Sequence, residues 1–516
     1  MNDNKTSKNS IVAKFAVPIS FLILFFLAAN FTDCDLVTFW KRRSHLTDLV
    51  VDMIPPDFSY IQKILLPLFY TIQMSVTGTV LGIFFALVLS PFGAANLGFP
   101  AVIRRILRIV IQILRSFPAL ILALTATFLF GLGTFAGTFA ITLYTFAIMT
   151  KLTYEDASAA DVKAYQALRA MGVSKDVAYI HGILPEIIPG FLTNALYLLE
   201  TNVRHSSILG YVGAGGIGLL LNEKISWLEY DKVGTILLML FLTVCVIEYF
   251  SRYLAALIRK EHTIKKEQAR LLLLFLAALF LICTFTLSLP DFSRTSPQTL
   301  RNMFAGFLQP DWSFFFSAEK DGLGYLLLET VCIAFIGTVI GAIVSAPLAF
   351  LNTKRFVPAP VSFLFNLVIM VIRSVPFLVY GLIFIRVSGP GAFTGVLTLA
   401  VCSIGLLTKR FTEALDALDP RPYHALLAMG VRPLPAICHS VLPQLKPVFT
   451  SIILYRFDVN IREASVLGLV GAGGIGAPLI FSMNQYAWEK AGAIMLGLIL
   501  FVWFIDMVSE KIGAGN

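Results

Sequence analysis

The sequence predicts an all-α membrane protein that crosses the bilayer about twelve times. Of its 516 residues, 57% are hydrophobic and 14% are charged, whereas soluble proteins carry about 25% charged residues. The apolar residues form many separate stretches of about 20 residues, the length that spans a hydrocarbon core about 30 Å thick. An internal repeat divides these stretches between two halves. These observations exclude a soluble enzyme, a disordered chain and a fibrous protein.

Twelve apolar runs are candidate crossings, and their even number places both termini on one side of the membrane. The runs lie near residues 11–29, 64–90, 106–131, 134–150, 190–221, 233–258, 271–289, 325–350, 361–387, 391–408, 448–477 and 491–509. Of the 40 Lys and Arg residues, 23 lie on the side of the N-terminus and 10 in the opposite loops. Because cytoplasmic loops are rich in basic residues, we predict that both termini are cytoplasmic.

The net charge of +9 is explained by the same loops, so we predict no nucleic-acid partner. The six cysteines show no CxxC spacing, which indicates neither a zinc site nor a disulfide framework. We find no cluster of His, Asp or Glu with the spacing of a metal or acid–base site. The sequence therefore predicts no catalytic residue and no bound metal.

The second half of the chain repeats the first. TIQMSVTGTVLG at 71–82 recurs as TVCIAFIGTVIG at 330–341, and GxVGAGGIG at 210–218 recurs at 468–476. Shared hydrophobicity alone would not keep polar residues, glycines and prolines in one register over more than a hundred positions. We predict a first half at 1–258, a charged cytoplasmic linker at 259–270 and a second half at 271–516. Each half then has six helices, and the repeat is parallel.

Each half also contains a long amphipathic segment on the predicted cytoplasmic side, at 151–190 and 409–447. In the first, Gly172 interrupts a helix, and a second short helix can follow as far as Leu184-Pro185. Such a helix–turn–helix can dock in a groove of a partner protein or lie on lipid headgroups. The spacing alone leaves both interpretations open.

These segments resemble the EAA loop of permease subunits of ATP-binding-cassette (ABC) importers. Ala-Leu-x-Ala-Met-Gly is followed by a proline thirteen residues after the glycine in both halves. In that family the loop forms the coupling helix that sits in a cleft of the ATPase subunit. The resemblance implies that the ATPase contacts include Ala167, Ala170, Gly172, Pro185, Ala425, Ala428, Gly430 and Pro443.

The chain departs from this family at the usual acidic residue, where Gln166 and His424 stand. Glu155 and Glu413 are candidates for other polar contacts with the ATPase. The sequence has no GxxxxGK[ST] motif, so we expect no cofactor in this chain and assign ATP and Mg²⁺ to the partner. The resemblance implies a type I importer fold, two ATP-binding subunits and an extracytoplasmic solute-binding protein. It also implies the prokaryotic cytoplasmic (inner) membrane and its lipid.

A narrower resemblance is to the phosphonate-importer permease. NIREASVLGLVGAGGIG at 460–476, its variant at 202–218 and the Arg-Ser-x-Pro motifs carry this resemblance. It implies import of phosphonate, phosphite or a similar oxyanion by alternating access. Methionine-importer permeases have a related glycine-rich segment, so a methionine or other small-solute importer is the alternative. An ion-coupled carrier is a further alternative, with Glu248 and Glu329 as its candidate acids, and the twinned EAA-like segments weigh against it.

Two interpretations of the glycine-rich segments and the preceding Asn-x-Arg motifs remain open, close helix packing and a flexible gate. Neither segment has the context of a nucleotide loop. Glu200 and Arg204 are four residues apart, as are Asp458 and Arg462, which predicts an ion pair on one helix face. The residues assigned to gating or packing are Asn202, Arg204, Gly213, Gly215, Gly216, Asn460, Arg462, Gly471, Gly473 and Gly474.

The Arg-Ser-x-Pro motifs supply a candidate substrate pathway at Arg115, Ser116, Arg373 and Ser374. No acid lies within four residues of either arginine, and a guanidinium matches the oxygens of a phosphonate. Alternatively, both arginines extend to the cytoplasmic interface while their stems stay in the apolar region.

Overall fold

The computed structural model describes residues 19–258, 266–290, 297–317, 319 and 322–513. These residues form helices and contain no strand. The start of the chain and residues 259–265 of the predicted linker lie outside the described residues. The chain begins with α1 (Ile19–Phe31), α2 (Leu36–Lys41) and α3 (Arg43–Asp52).

Seven helices of the described chain are long and apolar enough to cross a membrane, and three bent helix pairs raise the number to as many as ten. Two shorter apolar helices, Ile19–Phe31 and Leu274–Phe285, overlap the predicted first crossing of each half. The all-α, polytopic membrane fold is therefore confirmed.

The first compact unit, here called the first-repeat unit, comprises the described residues of Leu49–Phe304. Its helices are α4 (Ile61–Gly93), α5 (Ala101–Ser116), α6 (Ala119–Phe130), α7 (Thr134–Ala159), α8 (Lys163–Ala170), α9 (Lys175–Gly182), α10 (Leu184–Leu209), α11 (Ile217–Ser226), α12 (Tyr230–Ile258) and α13 (Lys266–Phe285).

The second compact unit, the second-repeat unit, comprises the described residues of Met1–Asp48 and Ala305–Asn516. A boundary helix, α14 (Pro297–Leu308), leads into α15 (Trp312–Phe315), α16 (Leu323–Asn352), α17 (Ala359–Ser374), α18 (Phe377–Ser388), α19 (Ala392–Ala417), α20 (Arg421–Ala428), α21 (Pro433–Ala436), α22 (Leu442–Leu467), α23 (Gly476–Asn484) and α24 (Trp488–Gly513).

The first helix of each repeat packs in the unit built mainly from the other repeat. In the first-repeat unit, Gln73 Nε2 of α4 donates to the backbone oxygen of Cys283 in α13 at 3.0 Å. In the second-repeat unit, α1 places Phe21 against Phe335 with ring centroids 5.5 Å apart. The division of the chain at 1–258, 259–270 and 271–516 describes the sequence repeat and stays a prediction. The compact units differ from it, because α1 belongs to the second-repeat unit and α13 to the first-repeat unit.

The centre of each unit is a tightly packed helix pair, α4 with α7 and α16 with α19. A Cβ atom on Gly78 would lie 2.7 Å from Ile141 Cγ2, and one on Gly337 would lie 2.7 Å from Leu399 Cβ. These glycines belong to the repeated GTVLG and GTVIG motifs, and small residues allow helix backbones to approach closely. The two motifs therefore allow the close packing of these helix pairs.

Several predicted crossings contain breaks. The run 106–131 consists of α5 and α6 bent by 94°, and the run 361–387 consists of α17 and α18 bent by 87°. Pro118 and Pro376 precede the second helix of each pair. They account for the break, because proline cannot donate the backbone hydrogen bond that would continue a helix. The runs 190–221 and 448–477 are not single helices either, since α10 ends at Leu209 and α22 at Leu467.

Candidate functional site

The first coupling segment, 151–190, contains two short helices joined at a left-handed glycine. Helix α8 ends at Ala170, and α9 begins at Lys175. Gly172 between them has φ +82°, and no atom lies within 4 Å of the position that a Cβ would occupy. The backbone conformation, not lack of space, therefore requires glycine here. The predicted helix break at Gly172 is confirmed.

The second coupling segment, 409–447, repeats this turn. Helix α20 ends at Ala428, and Gly430 has φ +83° with open space around it. The side chains of Met171 and Met429, which precede these glycines, are 70% and 78% exposed. The residues carried over from the EAA resemblance are exposed as well, including Ala167, Ala170, Pro185, Ala425, Ala428 and Pro443.

The two acids assigned to polar contacts lie at the start of the coupling segments. Glu155 pairs with Lys151 at 3.5 Å, and Glu413 pairs with Arg410 at 3.2 Å. Both carboxylates are about half exposed, so they remain accessible while paired. Exposed ion pairs of this kind contribute little to stability. Their contact with an ATPase stays a prediction.

Each glycine-rich segment forms a tight loop that leads into a short helix, α11 or α23. Gly213, Gly215 and Gly216 have φ of +82°, +78° and +78°. Gly471, Gly473 and Gly474 have φ of +84°, +78° and +80°. These left-handed conformations favour glycine. A Cβ on Gly473 would also lie 2.7 Å from the backbone Cα of Ala392, so the second loop needs glycine for close packing as well.

A threonine of the central helix holds each loop in place. Thr71 Oγ1 of α4 accepts from the backbone nitrogen of Ile217 at 2.9 Å, and Thr330 Oγ1 of α16 accepts from Ile475 at 3.2 Å. The second loop has an additional bond, because Glu329 Oε2 accepts from the backbone nitrogen of Gly474 at 2.9 Å. The acid that the sequence suggested for ion coupling thus binds the loop backbone.

The two asparagines make equivalent hydrogen bonds, and in each unit these bonds join three helices. Asn202 Nδ2 of α10 donates to Thr79 Oγ1 and to Thr145 Oγ1, both at 2.8 Å. In the second-repeat unit, Asn460 Nδ2 of α22 donates to Thr338 Oγ1 at 2.6 Å and to Ser403 Oγ at 2.9 Å. Both asparagines are fully buried. These bonds support the packing interpretation, and a gating role stays a prediction.

Both ion pairs predicted from the spacing of four residues are present. Arg204 pairs with Glu200, and Arg462 pairs with Asp458. The second-repeat unit has a further pair, in which Nη2 of the buried Arg456 lies 2.7 Å from Oε2 of the partly buried Glu463. Pairing lowers the cost of keeping these charges within a membrane segment.

Arg115 and Arg373 lie at equivalent bends. Each occupies the last turn of its helix, α5 or α17, where a cation is stabilised by the partial negative charge at a helix C-terminus. Ser116 Oγ donates to the Gln112 oxygen at 2.9 Å, and Ser374 Oγ donates to the Val371 oxygen at 2.7 Å. Each arginine and its serine are consecutive residues, and each serine hydroxyl bonds to the backbone of its own helix. Their role in a substrate pathway stays a prediction.

Sequence reasoning missed the hydroxyl partners of the asparagines and of the glycine-rich loops. Thr71, Thr79, Thr330 and Thr338 lie within the repeated segments 71–82 and 330–341, so the repeat carried a signal for them. A second missed repeat is Pro-Asp-x-Ser at 56–59 and 310–313, which a shift of 258 does not align. In this motif Ser59 Oγ and Ser313 Oγ donate at 2.6 Å to Asp57 and Asp311, and these bonds lower the pKa of both carboxyl groups.

The fold defines a class of protein, a polytopic all-α membrane protein built from two repeats. The family described as "Binding-protein-dependent transport system inner membrane component" matches residues 78–260 and again residues 337–512. The chain belongs to this family. The double match also confirms the internal duplication.

Individual relatives cover most of the chain or one repeat. The chain is 27% identical to the phosphate-import permease protein PhnE of Mycolicibacterium smegmatis over 90% of this chain and 88% of that protein. It is 36% identical to the phosphite transport system permease protein PtxC of Stutzerimonas stutzeri over 36% of this chain and 67% of that protein. A probable D-methionine transport system permease protein, MetI of Vibrio cholerae, is 27% identical over 38% of this chain and 93% of that protein.

Proposed function

We propose that the chain is the membrane-spanning component of an ATP-driven importer for phosphonate- or phosphite-like oxyanions. The main support is the similarity over nine-tenths of the chain to a phosphate-import permease, joined to the stronger local identity with a phosphite permease. The shorter match to a methionine permease favours the alternative less. An ion-coupled carrier is disfavoured by the membership of both repeats in a binding-protein-dependent family.

The two coupling segments suggest how ATP hydrolysis reaches the membrane helices. Each presents an exposed helix–turn–helix with an exposed methionine at its tip, and an exposed apolar side chain of this kind suits a groove on a partner. We assign one ATP-binding subunit to each segment, and assign ATP and Mg²⁺ to those subunits. Both termini then lie in the cytoplasm, and a solute-binding protein delivers the oxyanion at the outer face.

Transport in this proposal is alternating access. ATP closes the two ATPase subunits, and the coupling segments transmit that motion to the spanning helices. ATP and the loaded binding protein must each bind one conformation better than the other, because a ligand shifts an equilibrium only by its differential affinity.

The proposal is tested by reconstitution in liposomes. The chain is co-reconstituted with the ATPase that co-purifies with it and supplied with the cognate binding protein, and uptake of labelled phosphite and methylphosphonate is measured. We expect uptake that requires ATP and the binding protein, with no uptake of labelled methionine. Accumulation of methionine would establish the alternative, and uptake driven by an ion gradient without ATP would establish a carrier.

The proposed pathway residues have their own test, the double variant Arg115→Ala with Arg373→Ala. A hydrogen bond to a charged group contributes about 1.5–3 kcal/mol, so we expect oxyanion uptake to fall at least about tenfold with ATPase association unchanged. Arg386→Ala, which removes an exposed arginine of α18, is the control. Normal uptake by the double variant would favour interfacial arginines instead.

A further inference from the structure

Helix α5 of the first-repeat unit carries an unusual stripe of arginines. Residues 94–116 contain four arginines and no acidic residue. At 3.6 residues per turn, the four arginines and Gln112 of this helix fall within an arc of about 100°. The stripe consists of Arg104, Arg105, Arg108, Gln112 and Arg115.

An exposed apolar surface lies directly beside this stripe. It covers about 120° of the helix circumference, and six aliphatic side chains, between 40% and 68% exposed, form it: Val102, Ile103, Ile106, Ile109, Val110 and Ile113. The edge of the arginine stripe that lies away from this apolar surface is packed within the unit, where Ile111 is 1% exposed. A basic stripe next to an exposed aliphatic surface is typical of helices that contact acyl chains and anionic headgroups together.

Two of the arginines are used to hold the helix. Arg108 Nε and Nη2 donate to the backbone oxygen of Gly93 at 3.0 and 2.9 Å, and its guanidinium lies 5.0 Å from the ring of Tyr154. Arg104 Nη1 donates to the backbone oxygen of Ala95 at 3.4 Å. Arg105 is exposed and lies at the edge of the stripe that borders the aliphatic surface.

The second repeat shows that the bend does not require these arginines. At the positions of Arg104, Arg105 and Arg108, helix α17 has Ser362, Phe363 and Asn366. The Ser362 hydroxyl donates to the backbone oxygen of Asn352 at 2.6 Å, which fixes the start of α17 with a neutral side chain. Helix α17 bends from its partner by 87°, close to the 94° of the first repeat.

We propose that the arginine stripe of α5, through Arg105, binds the headgroup of an anionic phospholipid, and that the matching face of α17 does not. The headgroup phosphate supplies the charge complementary to the stripe, and the acyl chains cover the aliphatic surface beside it. The position fits the cytoplasmic side, where basic residues concentrate and each basic side chain near an anionic surface contributes about 1 kcal/mol.

The bound lipid would lie close to the first coupling segment. Arg104 of α5 donates a hydrogen bond to the loop between α4 and α5, and Lys175 Nζ of α9 donates to the Gly98 oxygen of the same loop at 2.8 Å. The hydroxyl of Tyr165 donates to the Leu97 oxygen of the same loop at 3.0 Å. The headgroup site and α8–α9 therefore share one loop as a support.

The test measures lipid binding to the full chain without ATPase or transport, so its outcome is independent of the proposed function. The purified protein is placed in nanodiscs of phosphatidylcholine containing spin-labelled phosphatidylglycerol, and the immobilised fraction of the label is titrated. We expect Arg105→Gln to weaken phosphatidylglycerol binding about fivefold, Arg105→Lys to retain it, and labelled phosphatidylcholine to show no difference between variants.

The second repeat supplies the matched controls. Lys354→Gln removes an exposed cation from the loop before α17 and should leave phosphatidylglycerol binding unchanged, while Phe363→Arg should add binding at α17. Equal binding by wild type and Arg105→Gln would overturn the proposal, as would an equal loss in Lys354→Gln. Displacement of the lipid by millimolar inorganic phosphate or methylphosphonate would overturn it too, by identifying a site for a soluble oxyanion.

Discussion

The two coupling segments share their turn but differ in how they join the membrane helices. In both, a left-handed glycine follows an exposed methionine, at Gly172 and Gly430. In the first segment, α9 and the helix that follows it are bent by 65°. In the second, α21 continues through the π-helical turn Ile437–Val441 into α22, so that Pro433–Val470 forms one continuous helical segment of 38 residues.

The second repeat therefore keeps the glycine turn of the first and differs in the helix connection that follows it. A break separates α9 from α10 in the first segment, whereas α21 and α22 are continuous in the second. The supports differ as well, because Tyr165 of the first segment is hydrogen-bonded to a loop and its counterpart Tyr423 packs its ring against Phe356 at 5.6 Å. The two segments are therefore structurally inequivalent despite their matching sequences.

The largest expected effect comes from removing the shared feature. Proline has φ near −65°, so Gly172→Pro with Gly430→Pro cannot keep the turns at +82° and +83°. We expect loss of ATPase co-purification while the protein remains in the membrane. Each single variant then compares the segments, and a larger loss from Gly430→Pro would show that the continuous helix dominates coupling.

Two other glycines provide the matched control for this experiment. Gly131 and Gly389 occupy equivalent positions in the repeats, have φ of +81° and +84°, and have no neighbour within 4 Å of a Cβ. Gly131→Pro with Gly389→Pro imposes the same backbone strain away from the coupling segments. Retention of the ATPase by the coupling double variant, or its equal loss in this control, would contradict the docking role.

The next effect concerns the charges behind the segments, which also differ between repeats. The buried Arg456 forms an ion pair with the partly buried Glu463 in α22, and the equivalent residues of α10 are Leu198 and His205. Removing one partner of a buried pair costs about 3–5 kcal/mol, because the remaining charge is uncompensated. We expect Glu463→His to lower the free energy of unfolding by this amount, measured by thermal unfolding in detergent.

The double variant Arg456→Leu with Glu463→His gives α22 the residues that α10 has at these two positions, and it serves as the control. It leaves no unpaired charge at this position, so most of the lost stability should return. His205→Gln in the first repeat should change little. If the double variant were as unstable as Glu463→His, the pair would not be the source of the effect.

The comparison also shows what the sequence could predict. Features set by local chemistry were accessible, including the glycine turn at Gly172 and the Glu200–Arg204 pair at helical spacing. The transmembrane helices were accessible as apolar runs, but the 94° bend within 106–131 was not, because hydrophobicity carries no information about the angle between two successive helices. Only Pro118 carried a signal for it.

Long-range packing was less accessible. The repeat implies that α1 and α13 are equivalent, but it cannot tell which unit each will join, since an apolar helix carries little information about its neighbour. The hydrogen bonds of Asn202 are made to Thr79 and Thr145, which lie 123 and 57 residues away along the chain. Such partners follow from the three-dimensional arrangement of α4, α7 and α10 rather than from any local pattern.

The smallest expected effect isolates the support of the first coupling segment. Tyr165→Phe removes the hydroxyl that donates to the Leu97 oxygen at 3.0 Å, and a buried hydrogen bond of this kind contributes about 0.5–1.5 kcal/mol. We expect a loss of about 1 kcal/mol in unfolding free energy and faster hydrogen exchange in the loop between α4 and α5. Tyr423→Phe keeps the ring that packs on Phe356 and should change neither measurement. Equal effects of the two variants would show that both segments are supported alike, and the structural difference between them would then not extend to their stability.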